Sequence, residues 1–190
     1  MVIFAFYSFA IERNIIITEH IHIPLGIPKK IALLSDIHIG LFKWWDFLQT
    51  AINRINKEKP DYVFIAGDLT LFASKPSKAE LKNYLLPLKN LKAPTYVILG
   101  NHDLQAPGPD LADDLVHVLS ELGMQVLNND RVELDGFTLV WLWEYWINDA
   151  NVSLLQKETN LKKTIALIHN PDITIEYPVD AIPALTLAGH

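Results

Sequence analysis

Three short polar segments, each placed directly after a run of aliphatic residues, carry the side chains that can do chemistry. They are Ser35-Asp36-Ile37-His38, Gly67-Asp68 and Gly100-Asn101-His102-Asp103, and the chain later adds His169 and Gly189-His190. Carboxylate, imidazole and amide groups together suit a hard or borderline divalent cation, such as Mn, Zn, Fe, Ni or Mg. The side chains that can share one such site are Asp36, His38, Asp68, Asn101, His102, His169 and His190.

These groups are sufficient for a two-metal reaction at phosphorus. A carboxylate such as Asp68 can bridge two ions. Two ions ~3.5–4 Å apart can hold an in-line displacement and lower the pKa of a shared water towards ~7. A bridging hydroxide then attacks phosphorus, and the leaving oxygen needs a proton donor. The candidate general acid is His102, and Asp103 is the predicted carboxylate that orients it.

The elements that must position these residues alternate between strands and helices in the first half of the chain. Short aliphatic and β-branched runs predict strands at residues 31–34, 62–66 and 95–99. Amphipathic spacing predicts helices at residues 46–57, 78–91 and 111–122, the second of them interrupted at Pro87. This order predicts a parallel α/β sheet, and the carboxyl ends of its strands form one edge. The three polar segments should therefore converge there, although they are distant in sequence.

The second half of the chain has a different pattern. Further strands are predicted at residues 125–127, 131–134, 137–143, 164–168 and 185–188, with a polar helical segment at 151–159. Asp135-Gly136 is a strong hairpin signal between two of these strands. Residues 14–23, near the beginning of the chain, also read as a strand because they are β-branched and partly alternating.

Taken together and in order, the motifs resemble the calcineurin-like metallophosphoesterase superfamily, across residues 31–190. The resemblance implies a two-sheet sandwich flanked by helices, in α-β-β-α layers. It also implies one metal held by Asp36, His38, Asp68 and the second histidine of a Gly-His-x-His motif. The other metal would be held by Asp68, Asn101, His169 and His190. A further resemblance, in residues 8–12 and 34–40, is to a membrane-associated bacterial branch that includes hydrolases of UDP-2,3-diacylglucosamine.

The sequence departs from this family pattern at Gly189-His190, where the Gly-His-x-His motif is cut short. We expect the first metal to lack one histidine and the second sheet to be incomplete. Loss of a ligand should weaken the binding of that metal strongly. Even the residues that hydrogen-bond to metal ligands contribute ~10–100-fold to metal affinity. The expectation is a chain that is weakly active at best.

The composition limits the kind of protein. A net charge of −6 argues against general binding to nucleic acid, and the lack of cysteine excludes disulfides and thiolate metal sites. Residues 2–10 are apolar but far shorter than the ~20 residues of a membrane span. They suit either a buried edge strand or a stub that lies at a membrane. We therefore expect an apolar segment at 1–13 and a metallophosphoesterase domain at 14–190 that lacks its C-terminal end, in a cytoplasmic or peripheral inner-membrane location.

The sequence favours an enzyme acting on a phosphodiester or pyrophosphate, with a small-molecule or lipid-linked substrate. The chain has only three arginines, none of them near a motif, whereas arginine is well suited to clamp a phosphate monoester. Two alternatives stay open. One is a truncated metal-binding relative that acts as a scaffold, and the other is a soluble nucleotide phosphodiesterase.

Overall fold

A computed structural model describes residues 15–40, 43, 45–105, 108–142 and 150–190, with only the backbone of residue 45. The ten strands are β1 (Ile31–Leu34), β2 (Ile39–Gly40), β3 (Tyr62–Ala66), β4 (Thr70–Leu71), β5 (Thr95–Ile98), β6 (Gln125–Val126), β7 (Asp130–Leu134), β8 (Phe137–Trp141), β9 (Thr164–Leu167) and β10 (Leu185–Leu187). The α-helices are α1 (Trp45–Glu58), α2 (Lys78–Leu85), α3 (Asn101–Leu104), α4 (Ala112–Glu121) and α5 (Ser153–Gln156). Three 3₁₀ helices span Leu86–Asn90, Leu161–Lys163 and Pro171–Glu176.

Two four-stranded sheets form the centre of the fold. The first has the order β1-β3-β5-β6 and is parallel throughout, as the alternation of strands and helices predicts. The second has the order β10-β9-β8-β7, in which only the β7–β8 hairpin is antiparallel. Strands β2 and β4, which follow β1 and β3 in the chain, pair in parallel as a separate short ribbon.

Three apolar clusters show that the layers run α-β-β-α. Helices α1, α2 and α4 pack on one face of the first sheet, and Leu48 of α1 belongs to the same apolar cluster as Val63 and Ile65 of β3. The two sheets meet face to face through side chains such as Phe64 and Leu139. The outer face of the second sheet packs against α5 and the last 3₁₀ helix. Each central strand is thus covered on both faces, which explains its continuous apolar sequence. The predicted fold class is confirmed.

The carboxyl ends of the parallel strands bring the predicted site together. The segments that follow β1, β3 and β5 carry Asp36, Asp68 and Asn101, while β9 and β10 of the second sheet lead to His169 and His190. Strands β1, β3 and β5 are parallel neighbours in the first sheet, and β9 and β10 are parallel neighbours in the second. The segments that follow them therefore lie together at the carboxyl ends of the strands.

The prediction of a strand at residues 14–23 is wrong for its described part. Residues 15–23 form no strand and are mostly exposed, with Ile17 and Ile21 more than three-quarters accessible. Side chains from α1 contact this segment: the Arg54 guanidinium donates a hydrogen bond to the Ile16 carbonyl at 2.6 Å, and the Glu58 carboxylate lies 3.7 Å from the His20 ring. A β-branched pattern favours an extended backbone, but a strand also needs a neighbour for its ladder.

The other elements agree with the predictions to within a few residues. The helix predicted at 78–91 ends at Leu85 and continues as a 3₁₀ turn containing Pro87, because proline cannot donate to the helical ladder. Helix α3, which holds the third polar segment, and the β2–β4 ribbon were not predicted. The apolar segment at 1–13 and the end of the strand predicted at 137–143 lie outside the described residues. Within the described part of the chain, none of the helices is both long and apolar enough to cross a membrane.

Candidate metal centre

Backbone hydrogen bonds hold the first two polar segments side by side. The Asp36 amide donates to the Gly67 carbonyl at 3.1 Å, and the His38 amide donates to the Asp68 carbonyl at 3.1 Å. The ladder continues from Ile39 to Leu69 at 2.8 Å and into the β2–β4 ribbon. The polar residues are therefore fixed by main-chain pairing as well as by their strands.

Four site residues adopt a backbone conformation that L-residues rarely use. Positive φ angles of 54° at Asp36, 53° at His38, 52° at Asp68 and 72° at His190 place them in the left-handed region. Only two other non-glycine residues in the described part of the chain do so. Such strain persists where surrounding structure imposes it, and it concentrates at functional sites.

Asp68 lies at the centre of the candidate site, with only 2% of its surface exposed. Its Oδ1 atom accepts a hydrogen bond from the His102 amide at 2.9 Å and lies 3.4 Å from His169 Nε2. Its Oδ2 atom lies 3.7 Å from His38 Nε2 and 3.9 Å from His102 Nε2. Burial alone would raise the pKa of Asp68, but the His169 ring and the His102 amide outweigh it, so the pKa is lowered. The carboxylate is ionised at neutral pH and faces a different imidazole with each oxygen.

His169 provides a test of whether these residues fit a metal. Its Nδ1 atom lies 2.7 Å from the Ala66 carbonyl, which can only accept, so Nδ1 carries a proton and donates it. Its Nε2 atom then faces two further oxygens, Asn101 Oδ1 at 3.0 Å and Asp68 Oδ1 at 3.4 Å. A lone pair directed at two acceptors is repulsive unless a proton or a cation lies between them. Metal-bound histidines use this arrangement, with the other ring nitrogen donating to a carbonyl. The donor set fits a divalent ion.

A second group forms on the other oxygen of Asp68. The ligand atoms of His38, Asp68 and His102 all lie within 4.8 Å of one another, as do those of Asp36, Asp68 and His169. The His38 and His102 rings meet edge to face at 4.8 Å between centroids. Burial lowers the pKa of His38 against the attraction of Asp68, which favours the neutral imidazole that binds metals. The two groups share Asp68.

Asp36 and His190 lie at the border of these groups. The Asp36 carboxylate is 3.9 Å from His38 Nε2 and accepts a hydrogen bond from the His190 amide at 3.0 Å. The His190 ring is exposed and stands 5.3 Å from the His169 ring, edge to face. All six predicted metal ligands are thus gathered at one place.

Asp103 is not where its predicted role requires. Its carboxylate is fully buried and accepts from the amides of Leu69, Thr70 and Gly100 and from the Thr70 hydroxyl, at 2.7–3.1 Å. The Nδ1 atom of His102 is buried without a hydrogen-bond partner. Asp103 therefore does not orient the His102 ring. Burial raises the pKa of Asp103 to about 6, against the hydrogen bonds from Gly100 and Thr70.

Two motif glycines are required by close packing. A Cβ atom on Gly67 would lie 2.6 Å from His169 Nδ1, and Gly67 has a φ of +88°. A Cβ on Gly100 would lie 2.7 Å from His169 Nε2 and would overlap the Asp68 carboxylate. Glycine is therefore required at both positions, because the side chains of candidate ligands occupy the space that a Cβ atom would fill.

Three contributors to the centre were missed by sequence reasoning. The Ala66 carbonyl accepts a hydrogen bond from His169 Nδ1, and the Ser35 hydroxyl donates to the same carbonyl at 2.9 Å. Thr70 donates twice to Asp103, through its amide and its hydroxyl. A backbone carbonyl gives no signal in a sequence. Ser35 and Thr70 do flank the polar segments, but their residue types alone indicate nothing more than strand ends.

The sequence of the chain matches a known family and several known proteins. Residues 29–184 match the calcineurin-like phosphoesterase family. A metallophosphoesterase of Helicobacter pylori is 30% identical over 169 residues, covering 85% of this chain and 44% of that protein. Phosphodiesterase YaeI of Escherichia coli is 30% identical over 167 residues, covering 86% of this chain and 60% of YaeI. A transmembrane protein with a metallophosphoesterase domain, from Danio rerio, is 30% identical over 131 residues, or 67% of this chain and 28% of that protein.

The chain thus spans less than two thirds of the length of these relatives. The matched region nevertheless contains the three polar segments and His169, in the order that the fold brings together. On the sequence match, the two-sheet architecture and the shared Asp68, the chain belongs to the calcineurin-like phosphoesterase family.

Proposed function

We propose that this chain is a phosphoesterase that uses two divalent ions to hydrolyse a phosphodiester or pyrophosphate bond. The observation that carries the proposal is the position of Asp68, whose two oxygens face two different groups of metal-binding atoms. A buried carboxylate placed in this way is suited to bridge a pair of ions.

The proposed ligands divide between the two oxygens of Asp68. On the Oδ1 side are His169 and Asn101. Asp36, which the family resemblance assigns to the metal of His38, lies between the two sides: its carboxylate is 3.9 Å from His38 Nε2 and also groups with Asp68 and His169. On the Oδ2 side is His38. His190 stands beside Asp36 and His169, so we assign it to the Oδ1 side. Mn, Zn, Fe, Ni and Mg all accept a mixed set of carboxylate, imidazole and amide ligands.

When bound, two such ions activate a water molecule as the nucleophile and stabilise the charge that develops on the phosphoryl oxygens. The chain's own residues supply orientation and a proton. The bond from phosphorus to the leaving oxygen would break as the bond to the water oxygen forms. The attacking water gives up one proton to solvent, and the leaving oxygen takes up one proton. His102 is the proposed donor, through the Nε2 atom that points at Asp68 Oδ2 from 3.9 Å.

The described arginines support a diester or pyrophosphate over a phosphoprotein. Arg54 donates to the Ile16 carbonyl, and Arg131 pairs with Glu158 at 2.7 Å. Both are therefore engaged with other groups, whereas a phosphate monoester is commonly clamped by a bidentate guanidinium. A diester carries less charge and offers a second ester group for binding.

The proposal is tested by metal analysis together with hydrolysis of bis-p-nitrophenyl phosphate. We expect two Mn²⁺ ions per chain at saturating metal, with the ion on the Oδ2 side bound more weakly, and slow Mn²⁺-dependent release of p-nitrophenol that a chelator abolishes. Asp68→Asn should lose both, because it weakens the one group common to the two ions. The matched control is Asp113→Asn, an exposed carboxylate in the first turn of α4, which should keep both. Stoichiometric loading with no hydrolysis would favour the scaffold alternative instead.

A groove beside the centre supports a lipid-linked substrate as the finer form of this proposal. The groove has a volume of about 730 Å³ and runs between residues 16–23 on one side and β1 and α1 on the other. Apolar side chains such as Ile31, Leu33 and Phe47 line it, and it reaches Asp36. Its volume suits an alkyl chain, and its end suits a phosphate held at the metals. We propose that an apolar tail of the substrate lies in this groove.

A series of p-nitrophenyl alkyl phosphates, from methyl to octyl, tests the groove. Each methylene buried contributes ~0.8 kcal/mol, or about fourfold in affinity at most. We expect kcat/KM to rise with chain length, and Leu33→Asp to remove the rise while leaving the methyl ester unaffected. Val179→Asp, at a position that is 93% exposed, is the matched control. A flat series in the unmodified protein would favour a soluble diester such as a nucleotide.

A further inference from the structure

Helix α3 is four residues long and sends its third side chain inward. Asp103 has no exposed surface, although Asn101 and His102 on the same turn belong to the metal centre. An ionised carboxylate is costly to bury unless it accepts several hydrogen bonds. The contacts of Asp103 therefore indicate what it does.

Each oxygen of the Asp103 carboxylate accepts two hydrogen bonds. Oδ1 accepts from the Thr70 amide at 2.9 Å and from the Thr70 hydroxyl at 2.7 Å. Oδ2 accepts from the Leu69 amide at 3.1 Å and from the Gly100 amide at 3.1 Å. Bonds to an ionised acceptor are roughly twice as strong as neutral ones. Three of these four donors come from the two residues that follow Asp68.

Asp68 makes the reciprocal contact. Its Oδ1 atom accepts from the amide of His102, the residue before Asp103. The loop after β3 and helix α3 are thus braced in both directions, each by a carboxylate of the other. Asp68 also has a φ of 52°, a conformation that must be imposed by its surroundings. The brace acts on the two peptide groups immediately after this strained residue.

We propose that Asp103 is a positioning residue that holds Asp68 in the orientation in which its two oxygens face the two groups of ligands. Asp103 does not touch the reacting atoms and does not orient the His102 ring. It fixes the loop of Asp68 against the turn that carries Asn101 and His102, so that one carboxylate can serve both groups. The inference rests on the proposed two-metal function, since it explains how the shared ligand is held.

The test compares Asp103→Asn with a change that only destabilises the fold. Asparagine has nearly the same shape, but its amide nitrogen cannot accept, so one pair of donors loses its partner. The control is Leu139→Ala, in the apolar layer between the two sheets and remote from the centre in sequence. Both variants should melt at a lower temperature than the unmodified protein.

The readout is Mn²⁺ binding by calorimetry, together with the electron paramagnetic resonance signal of the bound ions. We expect the unmodified protein and Leu139→Ala to show a spin-coupled pair, as two ions that share the Asp68 carboxylate would. Asp103→Asn should bind Mn²⁺ roughly 10- to 100-fold more weakly and show no coupled pair, as for other outer partners of ligands. Unchanged affinity and coupling in Asp103→Asn would overturn the proposal and leave Asp103 a purely structural residue.

Thr70→Val is a second variant, in case Asp103→Asn does not fold. It removes one of the four donors and keeps the three amides, so we expect a smaller loss of Mn²⁺ affinity. An unchanged affinity in the folded Thr70→Val protein would then overturn the proposal. If the unmodified protein binds a single ion, the two-metal function fails on its own. Asp103→Asn must still weaken the binding of that ion, since Asp68 belongs to both groups. An unchanged affinity for the single ion would refute the positioning role as well.

Discussion

The Nε2 atom of His169 lies 3.4 Å from the Oδ1 atom of Asp68, and neither side chain has more than 2% of its surface exposed. The other ring nitrogen of His169 is committed to the Ala66 carbonyl. A buried imidazole and a buried carboxylate held so close require a positive charge between or upon them. A divalent ion bound to both side chains would supply that charge.

Metal binding should stabilise the fold. A ligand that binds only the folded state at 100 times its Kd adds ~2.7 kcal/mol. For a chain of this size, that corresponds to roughly 5–10 °C in Tm per ion. We expect scanning calorimetry to show such a rise on adding Mn²⁺ to chelator-treated protein. Asp68→Asn should show little rise, and an equal rise in that variant would place the binding site elsewhere.

Gly67→Ala should damage the metal centre beyond its effect on stability. Alanine at a φ of +88° is strained, by roughly 1–2 kcal/mol. Gly123 has the same φ, but a Cβ there would meet nothing within 4 Å. Both variants should therefore lose similar stability from strain, and only Gly67→Ala should also weaken metal binding, because its Cβ would press on His169. Equal Mn²⁺ affinities in the two variants, measured by calorimetry, would contradict this account of Gly67.

His102→Asn should slow hydrolysis most when the leaving group is poor. General acid catalysis typically contributes ~10²–10⁴-fold, and it matters little for an acidic leaving group such as p-nitrophenol. We expect the loss in kcat to grow along a series of diesters from p-nitrophenol through phenol to benzyl alcohol. His117→Asn is the control, since His117 is exposed and pairs with Glu121 at 3.2 Å. A uniform loss accompanied by release of one ion would instead make His102 a ligand, which its distance to Asp68 also allows.

The metal-free protein should lose stability in mild acid through His38. Burial lowers the pKa of His38 below its ordinary value of 6.5. Below that pH the unfolded chain therefore takes up a proton more readily than the folded one, and the free energy of unfolding falls as pH falls. His38→Gln should reduce this loss. The measurement is denaturant unfolding in chelator at pH 5.5 and pH 7.5. If the pH dependence is the same in the variant, His38 is not the group responsible.

The local features of the fold could be predicted from the sequence because they depend on short stretches of chain. Continuous aliphatic runs predicted the buried strands β1, β3 and β5, and Pro87 predicted the interruption at the end of α2. The polar segments after those runs indicated the candidate metal ligands, since parallel strands place their carboxyl ends together. The family was recognisable from the same segments.

Tertiary contacts decided the rest. Residues 15–23 have a strand-like pattern but form no ladder, because pairing depends on a neighbour that the pattern does not specify. The sequence places Asp103 next to His102, yet its carboxylate bonds to Leu69, Thr70 and Gly100. A helical turn directs successive side chains to different faces, so adjacency in sequence is a poor guide to contact.

By itself, then, the sequence determined which residues can bind metal and that they converge at the strand ends. Only the tertiary structure decided that Asp68 faces one group with each oxygen, and that Asp103 braces the loop which holds it. The physical reason is that residue type fixes the chemistry of a side chain, whereas its direction depends on hydrogen bonds between segments far apart in the chain.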